Sequence, residues 1–169
     1  MSDFFRTFAA YLCMKRQNTR MKPLNELTIA MANDHAGYEL KNTLRQYLEG
    51  EGAHVKDFGC YSKESCDYPD FAHPMAVAVE KGEADFGIAI CSTGNGITMT
   101  ANKHQGIRAA LCWETRLAEL ARQHNNANVL SLPANFITPD KALEIVKTFF
   151  TTDFEGGRHE RRVNKIPAF

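Results

Sequence analysis

The sequence predicts an α/β fold in which a parallel sheet of five strands has helices on both faces. From Leu27 onward, short apolar runs alternate with segments that repeat apolar residues at helical spacing. A strand that is followed by a helix and then by another strand is typical of parallel βαβ units. With 169 residues, the chain is long enough to form one domain with a substantial core.

The predicted elements follow one another in the order expected of βαβ units. Residues 27–32 form an apolar run that favours a buried strand, and the polar turn after them contains Gly37, which allows a tight bend. Pro139 favours a helix that begins there, because proline is tolerated at the first helical position. The predicted strands are 27–32, 54–58, 86–90, 107–111 and 128–132. The predicted helices are 38–51, 71–81, 97–103, 114–124 and 139–150, with a short final one within 155–163.

The chain divides into a short N-terminal extension and one domain. Residues 1–24 are interpreted as a non-catalytic extension, since the periodic pattern begins after Pro23. The extension is poor in serine for a transit peptide, and its apolar stretch is short for a secretory signal. Residues 25–169 are interpreted as the functional domain, and Met21 is a plausible start for it.

Composition excludes several classes of protein. Lys+Arg and Asp+Glu each number 20, so the formal net charge is zero and no basic excess indicates binding to nucleic acid or to an anionic membrane. No apolar run approaches the roughly 18 residues of a membrane span. The five cysteines are scattered without CxxC spacing, which predicts reduced thiols in a cytoplasmic protein and no metal site.

The strongest local motif is Cys91-Ser92-Thr93-Gly94-Asn95-Gly96, between a predicted strand and a predicted helix. Such a turn directs backbone N–H groups toward an anion or oxyanion, and a thiol near a helix start has a lowered pKa. The motif is not a dinucleotide fingerprint or a P-loop, because the required glycine and lysine spacings are absent. A purely structural turn is the alternative interpretation.

Three further segments contain candidate functional residues. Asp34 and His35 follow the first strand, although Asp34 is also a good cap for the next helix. His124 closes a helix, where a histidine often only complements the helix dipole. Arg158 and Arg162 are four residues apart, so on a helix they share a face suited to a phosphate, although a solvated basic tail is the alternative.

Taken together, five motifs resemble the ribose-5-phosphate isomerase B family, which includes the two galactose-6-phosphate isomerase subunits. The match runs from about Leu27 to Val163. The resemblance implies a Rossmann-like three-layer α/β/α sandwich, a homodimer or dimer of dimers, and no metal or cofactor. It also implies active sites at the subunit interface, reached by the C-terminal tail of the neighbour. The matching segments are 34–37, 67–69, 91–96 with 101–103, 124–125 and 155–159.

The resemblance also implies a role for individual residues in an aldose–ketose isomerisation of a sugar phosphate. Cys91 would be the base that takes the proton from carbon, and Thr93 would assist at the neighbouring oxygen. His124, with Asp34 nearby, would open the sugar ring. Some family members carry a glutamate base where this chain has Ile97, so the cysteine form of the mechanism fits better. The residues implied to bind substrate are His35, Tyr68, Gly94, Asn95, Gly96, Asn125, Arg158 and Arg162.

One residue departs from the family pattern. After the fifth strand many members have an arginine that joins the phosphate cluster, and this chain has Asn135 there. The change argues against ribose 5-phosphate as the substrate more than against isomerisation as the reaction. Related hexose or tetrose phosphates are alternative substrates. A non-catalytic sugar-phosphate-binding subunit of a paired isomerase is the alternative function.

Overall fold

A computed structural model describes residues 20–167, which form a five-stranded parallel sheet between two layers of helices. The predicted Rossmann-like α/β/α fold is thus confirmed. Residues 1–19 of the predicted extension lie outside the described residues. The strands are β1 (Thr28–Asn33), β2 (His54–Asp57), β3 (Phe86–Cys91), β4 (Ala109–Leu111) and β5 (Val129–Pro133). The helices are α1 (Tyr38–Gly50), α2 (Tyr68–Glu80), α3 (Asn95–Ala101), α4 (Thr115–Asn125), α5 (Pro139–Thr151) and α6 (Arg158–Val163).

The order of the strands determines where a ligand can bind. The sheet order is β2-β1-β3-β5-β4, and every neighbouring pair is parallel. The order reverses at β1, because β2 lies on one side of it and β3 on the other. Ligands of such sheets bind beyond the carboxyl ends of the strands at this reversal.

The two faces of the sheet carry different side chains. Because side chains alternate along a strand, Ile90 joins an apolar cluster with α1, α4 and α5, whereas Ala89 and Cys91 join a second cluster with α2 and α3. Ala30 and Ala32 of β1 also face that second cluster. The small residues let α2 and α3 pack close to the sheet.

The face toward α1, α4 and α5 contains the larger side chains. Phe149 of α5 is fully buried there. Its ring makes edge contacts with Phe86, at 6.1 Å between centroids, and with Phe150, at 5.3 Å. Such edge-to-face pairs are favourable beyond the area that they bury, so this aromatic group stabilises the packing of α5 on the sheet.

The predicted helix bounds differ from the observed ones by up to three residues, most at the starts of α2 and α3. Helix α2 begins at Tyr68, three residues earlier than predicted, because Pro69 occupies its first turn, where proline is tolerated. Helix α3 begins at Asn95, directly after Gly94, and not at Ile97. Helix α6 is confined to Arg158–Val163. The longest helices of residues 20–167 have 13 residues, and none of those described is long and apolar enough to span a membrane.

Replacement of Phe149 by alanine is expected to lower the free energy of unfolding by about 3–5 kcal/mol, because it leaves a cavity under α5. Glu144→Ala is the control from the same helix, since that side chain is exposed and its loss is expected to change stability by less than about 0.5 kcal/mol. Urea denaturation followed by circular dichroism measures both. Equal losses would contradict the assignment of Phe149 to the core.

Candidate active site

Three loops meet where β1, β3 and β5 end, and this region is called the strand-end edge below. Backbone hydrogen bonds join the loops to one another. The N–H of Asp34 donates to the carbonyl of Ile90 at 3.0 Å, and the N–H of Ala134 donates to the carbonyl of Cys91 at 2.9 Å. The sequence motifs after these strands are therefore held together by the main chain.

Asp34 connects two of these loops through its carboxylate. One oxygen accepts a hydrogen bond from the N–H of Gly37 at 3.0 Å, and the other is 3.4 Å from the N–H of Ser92. Asp34 is 6% exposed. It therefore acts as the cap that the sequence allowed, and it also contacts the loop of Cys91.

His35 lies beside Asp34 and receives a backbone hydrogen bond. The N–H of Cys66 donates to its Nδ1 at 3.3 Å. A ring nitrogen that accepts a hydrogen bond carries no proton, so the neutral imidazole has its proton on Nε2. His35 thus presents an N–H donor on the side of the ring away from Cys66.

Cys91 is the last residue of β3 and points into the cluster of α2 and α3. It is 4% exposed, so its sulfur is more enclosed than a thiol at the mouth of a turn was expected to be. The N–H of Gly94 donates a hydrogen bond to the sulfur at 3.1 Å. The polar turn therefore contacts the thiol from one side, while apolar residues surround it on the other.

The turn after Cys91 requires glycine at position 94, and at Gly96 the side chain of Tyr68 packs against it. Gly94 has φ +74°, and an added Cβ would collide with the side chain of Leu111 and lie 3.3 Å from the carbonyl of Leu132. A Cβ on Gly96 would lie 2.7 Å from the hydroxyl of Tyr68. Tyr68 therefore covers the turn.

Two polar side chains make hydrogen bonds at the turn after Cys91. The hydroxyl of exposed Thr93 accepts a hydrogen bond from the N–H of Asn95 at 3.3 Å. The side-chain amide of Asn135 donates to the hydroxyl of Ser92 at 2.8 Å. Asn135 thus lies at the strand-end edge and orients the loop of the candidate base.

A second group of candidate residues surrounds the C-terminus of α4. The rings of His124 and His159 stack in parallel, with centroids 4.2 Å apart and planes inclined by 4°. Glu155 has a carboxylate oxygen 3.5 Å from Nε2 of His159 and 3.9 Å from Nε2 of His124. Burial lowers the pKa of His159, and the nearby charges of His124 and Arg158 lower it further. These residues form a compact cluster of titratable side chains.

Buried Arg122 fixes the position of His124. Its guanidinium lies over the rings of Phe86 and Phe149, at 5.1 and 5.6 Å from their centroids, and donates to the carbonyl of Ala127 at 2.6 Å. Burial lowers the pKa of Arg122 to about 10. The end of α4 is therefore attached to the first residue of β3.

The group around His124 contains the donor types of a metal site, but its stacked rings do not suit one. One ligand atom each from His124, Glu155 and His159 lie within 4.8 Å of one another. Stacked parallel rings do not direct their nitrogen lone pairs toward one point, and Nε of Arg158 already donates to Nε2 of His159 at 3.3 Å. A zinc ion requires converging lone pairs at about 2.0–2.1 Å.

The two groups lie at opposite edges of the sheet. Cys91 ends β3, whereas Arg122, two residues before His124 and three before Asn125, contacts Phe86 at the start of the same strand. A strand of this length spans about 17–20 Å. One chain thus brings together Asp34, His35, Tyr68, Cys91 and the turn. It places His124, Asn125, Arg158 and Arg162 at the other edge, called the strand-start edge.

Sequence reasoning assigned no role to several residues that shape these two groups. Glu155 and His159 were part of a recognised motif, but their contact with His124 depends on the packing of α6 against α4. Cys66 carried no signal for its hydrogen bond to His35, which joins residues 31 positions apart. No regular spacing of residues in the sequence indicates these contacts.

Comparison with known proteins shows which family the chain resembles. A family described as Ribose/Galactose Isomerase matches residues 29–166. The ribose-5-phosphate isomerase B of Escherichia coli is 44% identical over 140 residues, which are 83% of this chain and 94% of that protein. A putative sugar phosphate isomerase of Bacillus subtilis is 42% identical over 144 residues, or 85% of this chain and 97% of that protein.

The chain belongs to the ribose/galactose isomerase family.

Solved structures of family members share the fold of the chain. The ribose 5-phosphate isomerase of Thermotoga maritima superposes with a TM-score of 0.83 at 51% identity, covering 84% of this chain and 98% of that one. A ribose-5-phosphate isomerase B of Mycoplasma genitalium, solved with bound ribulose-5-phosphate, gives 0.80 at 45% identity, covering 83% and 94%. The predicted family is confirmed, and the chain is an enzyme of the aldose–ketose isomerase class.

Gly94→Ala is expected to destabilise this isomerase more than Gly82→Ala does, and to reduce its activity. Both glycines have φ +74°, so each substitution places an L-residue in the left-handed region at a cost of about 1–2 kcal/mol. Only Gly94 has neighbours that the new methyl group would strike; at Gly82 nothing lies within 4 Å. Urea denaturation compares the two, and equal losses would contradict the close packing of the turn.

Proposed function

We propose that the chain interconverts ribose 5-phosphate and ribulose 5-phosphate, or a closely related hexose or tetrose phosphate pair. Ring opening precedes a proton transfer through a cis-enediolate, with Cys91 as the base. The reacting carbons lie at the strand-end edge of one copy, and the strand-start edge of a second copy completes the site. The hydrogen bond from the Gly94 N–H to the Cys91 sulfur is the observation that carries the proposal.

Cys91 removes the proton from C2 of the open-chain aldose. The electron pair of the broken C–H bond forms the C1=C2 double bond, and the C1 carbonyl becomes an enediolate oxygen. The C2 hydroxyl gives its proton to the C1 oxygen, the proton on Cys91 returns to C1, and the C2 oxygen becomes the carbonyl, so no redox partner is consumed. The thiolate is the reactive form of cysteine, and the Gly94 N–H donates to its sulfur.

The turn and Thr93 stabilise the oxygen atoms of the intermediate. Backbone N–H groups of Gly94, Asn95 and Gly96 lie at the start of α3, and preorganised donors of this kind stabilise a developing oxyanion. The Thr93 oxygen accepts a hydrogen bond from Asn95, so its own proton is directed to the substrate. Tyr68 covers the sugar from above Gly96.

His35 binds the phosphate together with Arg158 and Arg162 of the second copy. The Cys66 N–H occupies Nδ1 of His35, which leaves Nε2–H as the donor for a phosphate oxygen. The two arginines are exposed on α6, and their planar guanidinium groups suit phosphate oxygens. Holding the phosphate positions the reacting carbons at the base.

His124 opens the sugar ring, and Asn125 holds a sugar oxygen. An imidazole transfers a proton between the ring oxygen and the anomeric hydroxyl, and a carboxylate oxygen of Glu155 lies 3.9 Å from Nε2 of His124. Asp34 interacts with the same sugar oxygens from the strand-end edge.

Two copies are needed because one chain holds the two halves of the site at opposite edges. The strand-end edge is also bordered by large exposed apolar side chains, which favour contact with another protein surface. Met99, Trp113 and Phe136 are 64%, 50% and 71% exposed. We infer a homodimer in which each strand-end edge faces the strand-start edge of its partner.

Asn135 favours one alternative, a subunit that binds a sugar phosphate without turning it over. Where many relatives have an arginine, this amide donates to Ser92, so one positive charge is missing from the phosphate cluster. Turnover of ribose, allose, galactose and tetrose phosphates separates the two functions, because only the enzyme forms the corresponding ketose.

Cys91→Ala and His124→Ala are each expected to lower kcat/KM by about 10²–10⁴-fold, because each removes a proton-transfer group. Coexpressed in one cell, the two variants form mixed dimers with one intact site. Random pairing in a two-fold symmetric dimer gives about one quarter of wild-type activity. Coupled assays of the separate and mixed proteins measure this, with Cys112→Ala as the control that keeps full activity. An inactive mixture would contradict a site shared between copies.

Arg158→Ala is expected to raise KM more than it lowers kcat, because the arginine holds the non-reacting phosphate. The loss of one charged hydrogen bond predicts a KM increase of about tenfold or more. Arg116→Ala removes an exposed arginine paired with Glu119 and serves as the control. Steady-state kinetics give both constants, and an unchanged KM would remove α6 from phosphate binding.

A further inference from the structure

A buried lysine beside the strand-end edge has no part in the proposed reaction. Lys41 ends the first turn of α1 and is 1% exposed. Its ammonium donates to a carboxylate oxygen of Asp57 at 2.7 Å and to the carbonyl of Cys60 at 2.8 Å. The ammonium also lies over the ring of Tyr61, 5.1 Å from its centroid. Because a buried charge is costly unless it is paired and hydrogen-bonded, these contacts fix the position of the ammonium.

The partners of Lys41 lie at the end of β2 and at the start of the loop that follows it. The oxygen of Asp57 that binds Lys41 also accepts from the N–H of Gly59 at 2.9 Å. The other oxygen of Asp57 is 3.3 Å from the guanidinium of Arg45, which is on α1 like Lys41. The hydroxyl of Tyr61 donates to the carbonyl of Asp57 at 2.9 Å. Lys41 is therefore the centre of a polar network that attaches the start of this loop to α1.

Cys60 attaches the same part of the loop to the end of β1. Its N–H donates to the carbonyl of Asn33 at 2.9 Å, and the N–H of Asn33 donates to the carbonyl of Gly59 at 2.7 Å. The side-chain amide of Asn33 donates to the sulfur of Cys60 at 3.3 Å. The start of the loop is thus held on two sides.

Further contacts extend along the loop from Cys60. The thiol of Cys60 donates to the carbonyl of Ser62 at 3.2 Å, and the hydroxyl of Ser62 accepts from the N–H of Glu64 at 3.3 Å. Lys63 forms an ion pair with Glu39 of α1. The position of Cys60 therefore influences the far end of the loop.

His35 lies between the two segments that Lys41 connects. It precedes α1 by three residues and Lys41 by six. Its Nδ1 accepts the 3.3 Å hydrogen bond from the N–H of Cys66, at the far end of the loop. Lys41 thus attaches the helix that follows His35 to the loop that bonds the ring of His35.

We propose that Lys41 is a positioning residue for phosphate binding. By holding the loop against α1, its ammonium keeps the Cys66 N–H at Nδ1 of His35, so that Nε2–H is directed to a phosphate oxygen. The effect on phosphate rests on the role of His35 in the proposed function, whereas the orientation of the His35 ring does not.

Lys41→Met tests this role because it keeps a long apolar side chain and removes all three N–H donors. The carbonyl of Cys60 then loses its bond to α1, and the loop is expected to shift enough to weaken the bond from Cys66 to His35. In the full-length protein labelled with ¹⁵N-histidine, the Nδ1 resonance of His35 is expected to move. The spectrum of His35→Gln identifies that resonance.

The same variant is expected to bind phosphate more weakly. Kd for inorganic phosphate and KM for the sugar phosphate are expected to rise between about twofold and tenfold, as for the loss of one positioning hydrogen bond. The value of kcat is expected to change less than KM, because the group that moves holds the non-reacting phosphate. Isothermal titration calorimetry gives Kd, and steady-state kinetics give KM and kcat.

Two control variants separate positioning from charge and from stability. Lys147→Met makes the same substitution at an exposed lysine of α5 whose ammonium lies 5.2 Å from the ring centroid of Tyr47. Leu48→Ala removes a fully buried side chain on the apolar face of α1, which lowers stability and keeps the contacts of Lys41. Both are expected to leave the Nδ1 resonance, the phosphate Kd and KM unchanged below their unfolding temperatures.

Asp57→Asn keeps the test decisive if Lys41→Met does not fold. The amide has the same shape and keeps one oxygen that can accept from Lys41, but the bond is no longer between two charged groups and is weaker. The same changes in the Nδ1 resonance, Kd and KM are expected, with smaller size.

Separate outcomes test the separate claims. An unchanged Nδ1 resonance in every folded variant of Lys41 and Asp57 would overturn the proposal. A shifted resonance with an unchanged phosphate Kd would overturn its effect on phosphate, and an equal rise of KM in Leu48→Ala would assign that effect to stability instead. If the wild-type protein turns over no sugar phosphate, the proposed function fails, while the resonance and the phosphate Kd still decide the role of Lys41.

Discussion

The parallel direction of the strands is the constraint on which the rest of the structure depends. Because every strand points the same way, the loops of Asp34, Cys91 and Asn135 must meet at one edge, and each helix must return to the other. The end of α4 with His124 is therefore carried away from the thiol. In the function we propose, a second copy of the chain brings the two groups together.

The same sheet explains the surroundings of the thiol. Side-chain alternation in β3 directs Cys91 toward α2 and α3, in line with Ala89. The strand ends there, so the Gly94 N–H approaches the sulfur from the polar side. Core packing shields this thiol, which we propose as the base, from water on one side, and the turn of main chain at Gly94 borders it on the other. The surroundings of the Cys91 sulfur are thus determined by its position in β3 more than by any neighbouring charge.

Much of the fold could be predicted from the sequence, because alternating apolar runs and helical stripes are local patterns. The strand ends and the glycine turn followed from residue type, and the resemblance assigned roles to individual side chains. The start of α2 at Tyr68 was missed, since Asp67-Tyr68-Pro69 also reads as a loop. The contact of His124 with Glu155 and His159 depends on how α6 packs on α4, and the bond from Cys66 to His35 depends on the path of a loop. Neither contact corresponds to a periodic pattern in the sequence.

The alanines between the sheet and its second helical layer have a further consequence. Ala30, Ala32 and Ala89 set the distance between β1, β3 and the helices α2 and α3. Helix α3 begins at the glycine turn, so the thickness of this interior layer determines where the amides lie relative to a bound sugar. A side chain that never meets the substrate can in this way tune which chain length or stereochemistry is accommodated, and family members can diverge in specificity through residues that lie wholly inside the protein.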